Sequence, residues 1–233
     1  MITVERHGDI PWLVIDRPER RNALDDTGWC GLADALRAVE HRPTPVVITG
    51  RGACFSAGDD LRHAAGLAEQ ELLDYAIDTV LAAIRAVVEH PYPVVAAVNG
   101  PAVGGGAELV AASDVAVAAA SATFRLPEVA LGVAPSQFLG LRPCGPKTMA
   151  ELVLCGSVLT AADALGAGLV GAVVPDADLA AEVDRRTTAI ASAPEAAIRA
   201  AKRALTRDLR AEGLARIEAD IRAQLAIPAP ATP

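Results

Sequence analysis

Short apolar runs alternate along the chain with longer segments in which apolar residues return every three or four positions, and the two spacings predict two kinds of element. The runs at 2–5, 11–15, 45–49, 94–98, 115–119 and 170–174 read as strands. Between them, helices are predicted near 25–40, 70–89, 105–112, 147–155 and 161–166. The clearest helix sets Leu73, Ile77, Val80, Leu81, Ile84, Val87 and Val88 on one face and stops before Pro91 and Pro93, and that face reads as core. Thr160, with Asp163 three residues on, has the spacing of a capping box. After Pro175 only helical spacing continues, over 177–193, 195–206 and 209–226, and IPAPATP reads as a frayed tail. Strands alternating with helices predict an α/β layering. The expected division is an α/β core at residues 1–175 and a helical C-terminal region at 176–233.

Composition narrows the function. A chain of 233 residues, 52% hydrophobic, is large enough for a substantial core. Its 21 basic and 29 acidic residues give a formal net charge of -8, which argues against nucleic acid as a partner. Cys30, Cys54, Cys144 and Cys155 are widely spread and make no metal-like spacing with the four histidines, so no metal site is expected and a reducing cytoplasm suits them. The opening MITVERHGDIPWLVI lacks the pattern of an export signal. The most apolar stretch, 93–120, is broken by Pro101, glycines, Glu108 and Asp114, so no membrane partner is expected.

Two loops carry the candidate chemistry. The first, Cys54-Phe55-Ser56-Ala57-Gly58-Asp59-Asp60-Leu61, follows a strand, and its small residues allow a ligand near the main chain. The second, Asn99 to Leu109, places Gly104-Gly105-Gly106 where a strand turns into a helix, and the N–H groups of a helix start favour developing negative charge. This loop has neither G-x-G-x-x-G nor a Gly-Lys-Ser/Thr ending, so a nucleotide phosphate fits it less well than an oxyanion. Glu108, just after the glycines, and Glu128, in Leu126-Pro127-Glu128-Val129, are carboxylates among apolar neighbours. Such a pair suits acid–base work.

The segments RPERRNALD at 17–25, CFSAGDDL at 54–61, YPVVAAVNGPAVGGGAEL at 92–109, SDVAVAAASATFRLPEVALGVAP at 113–135 and LTAADALGAGLVGAVVP at 159–175 resemble the enoyl-CoA hydratase/isomerase, or crotonase, family. The resemblance implies a crotonase-like spiral of ββα units with a helical C-terminal trimerisation region, giving a homotrimer or hexamer. It implies a small-molecule acyl-CoA thioester as substrate, with no separate cofactor, and water adding across its α,β-double bond. Matching motifs would make Glu108 and Glu128 catalytic and the N–H groups of Ala57 and Gly105 the oxyanion hole. Substrate contacts would come from Arg21, Ala23, Ala57, Gly58, Asp59, Asp60, Gly104 and Gly105.

The alternatives within the resemblance are double-bond isomerisation, decarboxylation or hydrolysis, and a non-catalytic acyl-CoA-binding member. Three departures mark this chain. Arg125 stands where the family commonly has glycine and is expected to line or narrow the site. Pro135 to Leu141 replaces a glycine-rich stretch. The segment after Ala223 lacks the family's usual final helix. An acyl carrier protein is an alternative thioester carrier, meeting Arg199, Lys202, Arg203 and Arg207, although one solvated helix face is the preferred reading of that cluster.

Overall fold

The computed structural model describes residues 1–141 and 143–225. Its strands are β1 (Ile2–His7), β2 (Ile10–Ile15), β3 (Val46–Gly50), β4 (Val94–Val98), β5 (Ala102–Val103), β6 (Val115–Ala119), β7 (Thr123–Arg125), β8 (Val158–Thr160) and β9 (Ala172–Val174). Six of them form one sheet in the order β1-β2-β3-β4-β6-β9, and β5-β7-β8 form a second. In the large sheet only β1 pairs antiparallel, and the other neighbours run parallel through helical crossovers. The six strands expected from the apolar runs are the six of this sheet. The small sheet was not foreseen, because two- and three-residue strands leave no periodicity to read.

Alternation along the buried strands sends neighbours to opposite faces. Leu13, Ile15, Ile48, Ala96, Val98 and Ala118 join the main core with Trp29, Leu36, Val87 and Phe124, whereas Trp12, Val47, Val95, Ala97 and Val117 pack on the other face against Leu179 and Val183. Burial on both faces explains why these strands read as continuous apolar runs. The C-terminal helices contribute to both cores. Leu179 and Val183 come from the helix Leu179–Ala191, and Leu214, Ile217 and Ile221 come from Leu214–Leu225. The tail at 226–233 lies outside the described residues.

The predicted helix at 70–89 is a continuous helical stretch, α over Glu69–Asp74, π over Tyr75–Leu81 and α over Ala82–Glu89. Pi-bulges of this kind recur at functional sites. At Thr160 both arms of the capping box form, the hydroxyl accepting from Asp163 N at 3.2 Å and Asp163 Oδ2 accepting from Thr160 N at 3.2 Å. We expect Thr160→Ala to cost about 1 kcal/mol in urea denaturation.

Lys202 corrects the reading of the arginine-rich helix face. It is 2% exposed, and its Nζ donates to Asp114 Oδ2 at 2.5 Å and to Val87 O at 3.2 Å. It therefore ties the helix Glu195–Leu205 to the sheet and is no part of an exposed cationic patch.

Candidate active site

The two glycine-bearing loops meet backbone to backbone. Gly58 has φ +76, and a Cβ there would lie 2.6 Å from Val103 O and 2.7 Å from Gly105 N. Gly106 has no room for a Cβ against Ser56 O. Bridging hydrogen bonds fix the approach: Phe55 N donates to Pro101 O at 3.1 Å and Val103 N to Ser56 O at 2.9 Å.

Behind the first loop, Arg21 and Asn22 both hold positive φ, at 53 and 58. Asn22 is fully buried, its amide donating to Cys54 O at 2.6 Å and Arg51 O at 3.0 Å, while Ser56 Oγ donates to Asn22 O at 2.9 Å. The same turn presents the Arg21 carbonyl to the loop, where it accepts from Ala57 N at 3.0 Å. The Ala57 N–H, expected to point at an oxyanion, thus has a partner within the fold.

The next N–H along the loop has a different aspect. Leu24 N donates to Gly58 O and Asp60 N to Leu24 O, both at 2.8 Å, in a parallel bridge centred on Asp59. Such a bridge uses the groups flanking its central residue, so the Asp59 N–H faces away from the Leu24 segment. Gly105, in turn, opens the helix Gly105–Ala112, where first-turn N–H groups have no intrahelical acceptor.

Beside this junction lies a cavity of about 440 Å³. Asp59, Glu108, Glu128 and Gln137 line it together with Leu61, Leu72, Val80, Leu131, Val133 and Ile221. Glu108 reaches it from the helix Gly105–Ala112 and is 4% exposed. Glu128 begins the 3-10 turn Glu128–Leu131, and its Oε1 would lie 2.7 Å from a Cβ on Gly104. Asp59 Oδ2 would lie 3.6 Å from a Cβ on Gly105. The wall from Pro135 is helical over Ser136–Leu141, and Phe138 N donates to Glu108 Oε1 at 3.4 Å.

Of the expected site residues, the structure brings Asp59, Glu108 and Glu128 into one cavity and sets Gly58, Gly104 and Gly105 behind them. Arg21, Ala23 and Asp60 are not among its lining. The Arg21 side chain is exposed and Ala23 is buried. The Asp60 carboxylate caps the short helix Leu61–Ala64 through Arg62 N and pairs with Arg17 Nη1 at 2.9 Å. Burial acts to raise its pKa, but the Arg62 N–H and the Arg17 guanidinium outweigh that and hold it below the ordinary value. Arg125 does not narrow the cavity: its side chain is exposed and Nε donates to Gly156 O at 3.3 Å. In β7 the residue's direction follows from the strand, with Phe124 inward and Arg125 outward.

Burial away from water pushes the Glu108 carboxyl well above the usual carboxylate range, and the nearby charges of Glu128 and Asp59 add to this. Glu128 is pushed up to about 7, again mainly by burial, with Asp59 adding to it. Asp59 is also raised by burial, against the pull of hydrogen bonds from Tyr75 and Trp29. Two carboxyls held above the ordinary carboxylate range beside a strand-to-helix glycine turn can exchange protons with a bound ligand while N–H groups hold an oxyanion.

A family model for enoyl-CoA hydratase/isomerase matches residues 5–231. The chain belongs to the enoyl-CoA hydratase/isomerase family. A probable enoyl-CoA hydratase of Mycobacterium tuberculosis is 35% identical over 215 residues, covering 88% of this chain and 81% of that protein. A crotonyl-CoA hydratase of Syntrophomonas wolfei is 35% identical over 212 residues, covering 87% and 80%. The crystal structure of an enoyl-CoA hydratase from Bacillus anthracis superposes with a TM-score of 0.84 at 30% identity, over 96% of this chain and 90% of that one. The α/β architecture described above is accordingly the crotonase fold, and enzymes of this family act on coenzyme A thioesters. No described helix is long and apolar enough to cross a membrane.

Trp29 and Tyr75 are site residues that the motifs did not reveal. Trp29 lies on the buried face of the helix Asp26–Val39 and Tyr75 opens the π segment, and both donate to Asp59 Oδ1. Their helical periodicity marks them only as core.

Proposed function

We propose that the protein is an enoyl-CoA hydratase, a lyase that adds water across the α,β-double bond of an acyl-CoA thioester. The observation that carries this reading is the presence of both Glu108 and Glu128 in one apolar cavity beside the Gly105 turn. In this mechanism the thioester oxygen accepts from the N–H groups of Gly105 and Asp59, the latter taking the place first expected for Ala57. Polarisation makes the β-carbon electrophilic and stabilises the enolate that follows. The ionised glutamate takes a proton from water as the oxygen bonds to the β-carbon, and the protonated one delivers its proton to the α-carbon. One water is consumed, the total charge is unchanged, and the two carboxyls exchange protonation states. The apolar remainder of the cavity accommodates the acyl group and excludes bulk water.

Incubating the purified protein with 2-enoyl-CoA esters of several chain lengths in ¹⁸O-labelled water tests the reading by mass spectrometry. The expected product is a 3-hydroxyacyl-CoA carrying the label. A shift of the double bond without label would instead make the protein an isomerase, and binding with neither change would leave it a non-catalytic member. The resemblance to crotonases also supports assembly as a homotrimer or hexamer, which light scattering after gel filtration measures directly.

A further inference from the structure

Three carboxyls line the cavity, yet the fold supplies them with hydrogen-bond donors very unequally. Asp59 Oδ1 accepts from Trp29 Nε1 at 2.9 Å and from Tyr75 OH at 2.8 Å. Among the described residues, Glu108 accepts one long bond, 3.4 Å from Phe138 N, and the Glu128 carboxyl accepts from its own backbone N–H while its Oε2 is buried without a partner. A poorly solvated site cannot hold three negative charges, and donors decide which carboxyl keeps one.

We propose that Asp59 is a positioning residue of this active site: clamped as the anion by Trp29 and Tyr75, it keeps a proton on the Glu108–Glu128 pair. The inference rests on the hydratase reading for its catalytic meaning. Hydration needs one glutamate protonated and one ionised. A fixed negative charge on a third group, which is not itself transferring protons, disfavours ionising both glutamates together and so favours this mixed state. The third carboxyl belongs to the loop that carries the oxyanion donor, so the charge and the donor are set by the same backbone.

The groups facing Asp59 are consistent with this role. From the helix Asp26–Val39 come Trp29 and, in its first turn, Asp26, whose Oδ2 lies 3.1 Å from His63 Nε2. From Leu61–Ala64 comes His63, whose ring packs at 5.4 Å from that of Tyr75. Glu108 and Glu128 come from the helix and the turn opposite. The neighbouring Asp60 pairs with Arg17, which leaves that guanidinium engaged by a carboxylate other than Asp59. Burial and the Asp59 charge together raise the Tyr75 hydroxyl far above its ordinary value, which keeps it a donor.

The test is Asp59→Asn, which keeps the shape and an acceptor for both donors while removing the charge. The pH profile of kcat/KM is expected to move down by about one pH unit, because a neighbouring anion is worth about that much at a partly buried site. In parallel, ¹³C NMR titration of glutamate side-chain carboxyls, assigned with Glu108→Gln and Glu128→Gln, is expected to show both glutamates titrating lower by a similar amount. Tyr75→Phe, which loosens the clamp, is expected to shift both readouts in the same direction by less, and it serves if Asp59→Asn fails to fold. Unchanged glutamate titrations in the folded variants overturn the inference. The NMR readout needs no turnover, so absence of hydration in the wild type would sink the hydratase reading while this one is still decided.

Discussion

Glu108→Gln and Glu128→Gln are each expected to lower kcat for hydration by about 10²–10⁴-fold, the usual contribution of a positioned acid or base. Glutamine keeps the volume and an acceptor oxygen, so binding of the thioester should change far less than kcat. The double variant should be little worse than the poorer single one, because the two act as a unit. An isomerase, moving one proton on one enolate, would lose its activity mainly with one of them, and that outcome would count against hydration. The same variants should be more stable than the wild type at neutral pH. Glu128 titrates at about 7 in the fold against 4.5 unperturbed. The folded state therefore binds the proton more tightly, and stability falls as pH rises from about 4.5 to about 7. Above that the charged glutamate costs about 2–3 kcal/mol, which glutamine does not. Thermal melts should show Glu128→Gln ahead of the wild type at pH 8 and level with it at pH 4. Such an exchange of stability for activity is common at catalytic sites.

How far the sequence reached depended on the physical signal. The large sheet was legible because its strands are buried on both faces and read as apolar runs. The small sheet was not: β5, β7 and β8 are held by pairing to one another, with only Phe124 and Leu159 as large residues turned to the core. The helix Ser136–Leu141 was also missed, since Pro135 and Gly140 obscure its spacing and Gly140 is there because Ile217 leaves no room for a side chain. At the site, Glu108 and Glu128 were found because motifs fix their places relative to the glycines. At Ala57 the motif pointed to an N–H that the fold pairs with Arg21 O, because the direction of an N–H in a turning loop depends on φ and ψ and not on residue type. Arg125 was misplaced for a similar reason, as strand alternation, once β7 is known, turns it outward. The clamp on Asp59 was beyond sequence altogether. Trp29 and Tyr75 lie 30 and 16 residues from Asp59 along the chain, and only folding brings them to one oxygen.

Gly58→Ala should be strongly damaging to both stability and turnover. Its φ of +76 costs a side-chain-bearing residue about 1–2 kcal/mol by itself. The new Cβ would also sit 2.6 Å from Val103 O and 2.7 Å from Gly105 N, both backbone atoms that cannot rotate aside. Relief requires the two loops to part, and parting them displaces the proposed donors on Asp59 and Gly105 relative to each other. Misplacing one oxyanion donor costs about 10²–10³ in kcat. Gly168→Ala provides the comparison, because Gly168 has φ +82 with nothing within 4 Å of its would-be Cβ. That variant should show the conformational cost alone in urea denaturation and keep its kcat. If Gly58→Ala matched it in both measurements, the close approach of the loops would have no catalytic consequence. If Gly58→Ala loses kcat beyond what its lost stability explains, the function of the site depends on the contact between the two turns, with the carboxyls acting on an enolate that this contact holds.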